Sequence, residues 1–118
     1  MINDLKTRTK AFAHRCIKLS LNLPDMYLGN HIKKQLFICS TSVAANYRAT
    51  CIAQSKKSFI SKISIVIEEV DESHFWIEFI VDEGLIALDK CKSLLNEADQ
   101  LTRIFISSRK TANLNINN

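Results

Sequence analysis

The sequence predicts an all-α protein, an antiparallel up-down-up-down four-helix bundle, and three observations point there. Turn residues are scarce, with Gly 2 and Pro 1 in 118 residues, whereas a β-sandwich or barrel needs a turn signal every ten residues or so. Apolar residues recur at three-four spacing through four separate segments, the period of one helical face. The links between those segments are short, and short links force consecutive helices to run antiparallel.

The first segment, Asp4 to Leu23, places Leu5, Thr9, Phe12, Ala13, Cys16, Ile17, Ser20 and Leu23 on one face. Asn3 or Asp4 is suited to cap it, and Pro24 ends it because the residue before proline is pushed out of the α region. Pro24 to Asn30, with Gly29, reads as the link. The second segment, Asn30 to Ala53, carries Ile32, Leu36, Cys39, Val43, Tyr47 and Cys51, and its small residues from Ser40 to Ala45 allow another helix to come close. Ser40-Thr41-Ser42 has poor helix propensity, but the regular stripe outweighs it and one helix is predicted. Ser55 caps the third segment, which turns Phe59, Ile63, Val66, Val70, Ser73, Ile77 and Ile80 inward, with Ile67, Trp76 and Val81 widening the stripe, and stops at Gly84. The fourth, Asp89 to Ser108, carries Cys91, Leu94, Leu95, Ala98, Leu101, Thr102 and Phe105.

Residues 1–110 are thus expected to form a single four-helix bundle domain, and 111–118, which lack periodicity, a frayed tail. Apolar residues lie off the main stripes at Phe37, Ile38, Ile65, Trp76, Ile104 and Ile106. Monomeric bundles seldom expose that much, so a second buried surface and a homo-oligomer are expected. The polar amino terminus and the lone cysteines Cys16, Cys39, Cys51 and Cys91 suggest a cytoplasmic protein whose thiols serve as small core hydrophobes. No uncharged apolar run is long enough for a bilayer, and no membrane role is expected.

Net charge is +4, but it is unevenly spread. Residues 1–62 hold eleven Lys or Arg against Asp4 and Asp25; residues 63–100 hold ten acids against Lys90 and Lys92. Lys6, Arg8, Lys10, Arg15 and Lys18 on the first helix could hold phosphates, making RNA or DNA a candidate partner. The competing reading is that basic and acidic helices neutralise each other within the bundle or between subunits.

No catalytic constellation is recognisable, and no cofactor is expected. A di-iron bundle needs inward carboxylates on all four helices and two Glu-x-x-His pairs; Asp71 and His74 have the spacing, but the first two helices offer only Asp4 and Asp25 near their ends. His14, His31 and His74 fall on three segments, which gives zinc no local ligand pair. There is no nucleophile elbow or Gly-rich phosphate loop, so the chain is read as a non-enzyme with no metal site. Trp76 and Tyr47 could stack on bases, but beside an apolar stripe they read as core or interface.

The run Thr41-Ser42-Val43-Ala44-Ala45-Asn46-Tyr47-Arg48-Ala49, followed by Ser55, Phe59, Lys62, Ile65 to Ser73 and Trp76-Ile77-Glu78, resembles the bacterial four helix bundle protein family, founded on proteins encoded by intervening sequences in 23S rRNA genes. Asp4 to Ala13 and Glu97 to Thr111 resemble it as well, so the likeness spans nearly the whole chain; Ala44 stands where relatives often carry Gly. The resemblance implies an antiparallel bundle assembling as a homopentamer with a central channel. The accessory variability proteins of diversity-generating retroelements are similar in fold and use a basic pentameric surface to engage a reverse transcriptase and nucleic acid. Ser42, Asn46, Arg48, Glu69, Glu72 and Trp76 match the family pattern and are expected at structural or interface positions. Arg48, expected to be partly buried, would pair with Glu69 or Glu72 within or between subunits. The functional expectation is a homo-oligomeric bundle binding structured RNA or another nucleic acid, the alternative a scaffold for a protein partner.

Overall fold

In the computed structural model, which describes residues 4–117, four helices follow one another: α1 (Asp4–Ser20), α2 (Tyr27–Cys51), α3 (Lys56–Asp82) and α4 (Leu88–Asn117). Consecutive helices pack side by side, and α4 closes back on α1 along a much sparser seam. The bundle is elongated, 51 × 23 × 21 Å.

Each helix buries the stripe its spacing predicts. Phe12 and Cys16 from α1, Ile32, Leu36, Cys39 and Val43 from α2, Ile63 to Ile80 from α3, and Cys91, Leu94, Ala98, Leu101 and Phe105 from α4 form one continuous core. The buried hydroxyls are satisfied by their own helices: Thr9 Oγ1 donates to the Leu5 carbonyl at 2.7 Å, Thr50 Oγ1 to Asn46 at 2.8 Å and Ser73 Oγ to Glu69 at 2.8 Å. These back-bonds let small polar side chains sit where two helices touch without leaving a donor orphaned. α2 runs unbroken through Ser40-Thr41-Ser42, because burial of Cys39, Ser40 and Val43 outweighs their weak propensity.

The helix ends differ from the sequence reading in four places. α1 stops at Ser20, and Leu23 is buried from the link rather than from the helix. α2 begins at Tyr27, placing Gly29 in its first turn, where a Cβ would overlap the Pro24 carbonyl oxygen; the link folds against the helix, and only glycine admits that approach. Asp4 is helical, and the expected Asn3 cap lies outside the described residues. α4 does not fray after Lys110 but continues to Asn117, since Ala112 is still buried against the bundle.

Two ends match their chemistry closely. Ser55 Oγ accepts from the Ser58 N–H at 3.0 Å, capping α3. At the other end Gly84 adopts φ +70°, its N–H donating to the Val81 carbonyl at 2.9 Å and the Leu85 N–H to Ile80 at 3.0 Å, a Schellman motif.

Cysteine placement departs from expectation at one position. Cys16, Cys39 and Cys91 are buried, whereas Cys51, on the last turn of α2, is exposed. Burial raises the thiols of Cys16 and Cys91, and pushes Cys39 up to about 11.

Candidate nucleic-acid interface

The five basic residues proposed from the sequence do not share one surface. At ~100° per residue, Lys6 and Lys10 lie on the flank of α1 that faces α2, while Arg8 and Arg15 lie on the flank that faces α4. Arg8 is held there: Nε donates to Glu97 Oε2 at 3.1 Å and Nη2 to Oε1 at 2.7 Å, with Gln100 Oε1 at 3.3 Å. Arg15 Nη2 donates to Ser93 Oγ at 2.8 Å, and Lys18 borders a shallow depression with Lys90 and Ser93.

Lys6 and Lys10 instead border an open groove of about 740 Å³ between α1 and α2. Its other basic side chains are His14, one turn along α1, and Arg48, reaching over from α2. Its floor consists of the small side chains Ala11, Thr41, Ala44 and Ala45. The groove exists because these short residues leave the space between two helices unfilled above the core contacts of Phe12 and Val43. No carboxylate lines it, so its cations keep their full field toward an incoming anion. His14 and Arg48 were not grouped with the basic face in the sequence. The signal was present in the i, i+4, i+8 spacing of Lys6, Lys10 and His14 and in the small residues of α2 at 41, 44 and 45.

The residues expected at structural positions separate as well. Arg48 is exposed rather than partly buried, and among the described residues it pairs with neither Glu69 nor Glu72 within the chain. The reason is register: Glu69 stands on the flank of α3 that meets Ser42, and the Arg48 side chain leaves α2 on the α1 side. Glu69 is half-buried, its carboxyl raised by burial first and then by Glu72 and Glu68, against the opposing Ser42 hydrogen bond. Asn46 Nδ2 donates to the Ser42 carbonyl at 2.9 Å. Trp76 lies half-buried among His31, Phe75 and Phe79 at ring separations of 5.0 to 5.9 Å, and its buried indole N–H has no acceptor among the described residues. Tyr47 packs on Phe105 at 5.3 Å, and burial pushes its phenol up to about 12.

The His74 ring spans α3 and α4, Nδ1 lying 3.1 Å from Glu78 and Nε2 3.3 Å from Asp99. Its neighbours are therefore these carboxylates and not Asp71. Among the described residues no three His, Cys, Asp or Glu side chains converge as metal ligands, and no helix is long and apolar enough to cross a membrane.

The class is that of the antiparallel four-helix bundles. The chain belongs to the 23S rRNA-intervening sequence protein family, whose pattern it matches over residues 3–107. It is similar to a crystal structure from Bacteroides thetaiotaomicron, described as a protein with unknown function from the S23 ribosomal protein family. That likeness has a TM-score of 0.81 and 28% identity, and covers 90% of this chain and 98% of the other. No curated protein matches the chain.

Proposed function

We propose that this protein is a non-enzymatic, homo-oligomeric bundle of the cytoplasm that binds structured RNA along the α1–α2 groove. The observation that carries the reading is the groove itself: Lys6, Lys10, His14 and Arg48 border a floor of small residues, and no carboxylate lines it. Cations in this arrangement attract phosphates without reading base sequence, a contribution that weakens steeply with salt. The family's founding association with intervening sequences in 23S rRNA genes makes structured RNA the first polyanion to test.

Assembly is supported by the apolar side chains left in solvent: Phe37, Ile38, Ile65 and Ile106 are each between 41% and 52% exposed, and Phe75 joins them at 51%. Ile38 and Ile65 lie on the adjacent helices α2 and α3, where one partner surface could cover both. Five subunits is the number the family resemblance implies. A ring would repeat the groove and raise the field that a long polyanion meets.

The test is fluorescence anisotropy of a labelled RNA hairpin titrated with protein from about 50 to 200 mM salt, a range over which binding through several phosphates weakens by decades. Binding that falls steeply with salt and is weakened by Lys6→Glu with Lys10→Glu supports the reading; absence of binding at the lowest salt overturns it. Light-scattering mass reads the assembly separately, and a monomer at every concentration would refute the oligomer.

A further inference from the structure

The charge asymmetry of the sequence becomes an axial polarity once the chain is folded. Because the helices alternate in direction, the N-terminal half of α1, the C-terminal half of α2, the N-terminal half of α3 and the C-terminal half of α4 meet at one pole of the 51 Å bundle. Residues 42–67 and 100–117, which build that pole together with the first half of α1, contain seven Lys or Arg and no Asp or Glu, and the first half of α1 adds Lys6, Arg8 and Lys10 against Asp4. The intervening residues 68–99, at the other pole, contain ten acids against Lys90 and Lys92, and the turn of the chain from α1 into α2 adds Arg15, Lys18, Lys33 and Lys34 against Asp25, so that pole is acidic in balance. In the linear sequence Arg109 and Lys110 look like a minor basic tail; in the fold they lie in the same half of the bundle as Lys56, Lys57 and Lys62, Arg109 donating to Ser64 Oγ at 3.2 Å.

This pole also contains a cleft. The Ile52–Ser55 link, the first turn of α3 and the last turns of α4 border an open cleft of about 630 Å³, lined by Gln54, Ser55, Lys56, Ser107, Thr111 and Asn115, with Phe59 alongside. Hydroxyl and amide side chains next to a lysine are the groups that contact phosphate and sugar oxygens. The cleft owes its existence to the extension of α4 past Lys110, which brings Thr111 and Asn115 level with the start of α3. Arg48, at the edge of the α1–α2 groove, lies three residues from the end of α2, or ~4.5 Å of helix rise. The groove therefore leads toward the pole.

We propose that the basic pole is a second contact surface for the sugar-phosphate backbone of nucleic acid, with the Lys56 cleft at its centre, so that one RNA runs from the groove over the end of the bundle. The proposal rests on the RNA-binding reading above and adds a surface to it. Salt dependence then reflects both surfaces, and removing pole lysines lowers its logarithmic slope by about 1 for each phosphate no longer neutralised.

The experiment compares three charge reversals of equal size in the hairpin titration: Lys56→Glu with Lys57→Glu at the pole, Lys6→Glu with Lys10→Glu in the groove, and Lys90→Glu with Lys92→Glu at the acidic pole. Glutamate in the first turn of α3 suits the helix dipole, so the pole variant keeps its fold, which its circular dichroism melt verifies. The pole variant should weaken binding about tenfold or more near 0.1 M salt, with a shallower slope, and the Lys90/Lys92 variant should bind within about twofold of wild type. Weaker binding by the groove variant with no change in the pole variant overturns the proposal and leaves the groove reading standing. An equal weakening in the Lys90/Lys92 variant overturns it too, because net charge alone would then account for the effect. No binding by the wild-type protein removes both.

Discussion

Replacing Arg8 tests the division of the basic helix into a structural flank and a binding flank. Arg8 and Glu97 make two charge-assisted hydrogen bonds at 2.7 and 3.1 Å between helices that otherwise touch sparsely, with side chains 33% and 17% exposed. Hydrogen bonds to charged groups contribute about 1.5–3 kcal/mol when well shielded, and exposed pairs about 0.2–1. With a third of the arginine in solvent the coupling should fall between these limits, at about 1 kcal/mol. For a chain of this size that corresponds to roughly 4 °C in Tm. The assay is a double-mutant cycle of Arg8→Ala and Glu97→Ala by urea denaturation at fixed protein concentration, since assembly makes apparent stability concentration-dependent. Arg8→Ala should leave RNA affinity within about twofold of wild type, whereas Lys6→Ala should lower it severalfold, the direction expected when one phosphate-binding cation is removed. A coupling energy indistinguishable from zero, or an Arg8→Ala drop in affinity equal to that of Lys6→Ala, would refute the division.

Native-state alkylation should label Cys51 quickly, while Cys16, Cys39 and Cys91 react only on unfolding, because burial both covers them and disfavours their thiolates; rapid labelling of two or more thiols, read by mass spectrometry, would contradict the packing. Glu69 has a raised carboxyl in the fold, so above the ordinary carboxylate range the folded chain holds more protons than the unfolded one and stability falls as pH rises through the raised value. Glu69→Gln should therefore melt higher than wild type at neutral pH and lose that advantage in acid, and an unchanged or lower neutral melt would count against it. Gly29→Ala and Gly84→Ala should both destabilise for different reasons, the first by overlap with the Pro24 carbonyl and the second by a side chain at φ +70°. Urea midpoints should place the Gly84 cost near 1 kcal/mol and the Gly29 cost above it.

Most of the architecture was legible because a helix writes its buried face into the chain every three or four residues, and Ile32, Leu36, Cys39 and Val43 or Ile63, Val66, Val70 and Ile77 could hardly be arranged otherwise. Ser55 and Gly84 were legible for the same local reason, since a cap hydroxyl and a left-handed glycine act within one turn. Helix ends that depend on neighbours were not. The sequence after Lys110 has no apolar period of its own, and it stays helical because Ala112 meets the rest of the bundle. Cys51 sits in register with the stripe of α2 and is nevertheless exposed, because it lies on the last turn of that helix.

The candidate site divides along the same line. Composition and spacing alone determined that the chain is helical, that four amphipathic faces must close on one another, and that its first half is basic. Only the tertiary structure decided which cations lie together: it tied Arg8 to Glu97, turned Lys6 and Lys10 toward Arg48 across a floor of small residues, and gathered Lys56, Lys57 and Lys110 at one pole. Which helix face is buried follows from contacts a few residues apart along the chain. A field at the surface depends on charges brought together from different helices, and their distances are set only when those helices pack.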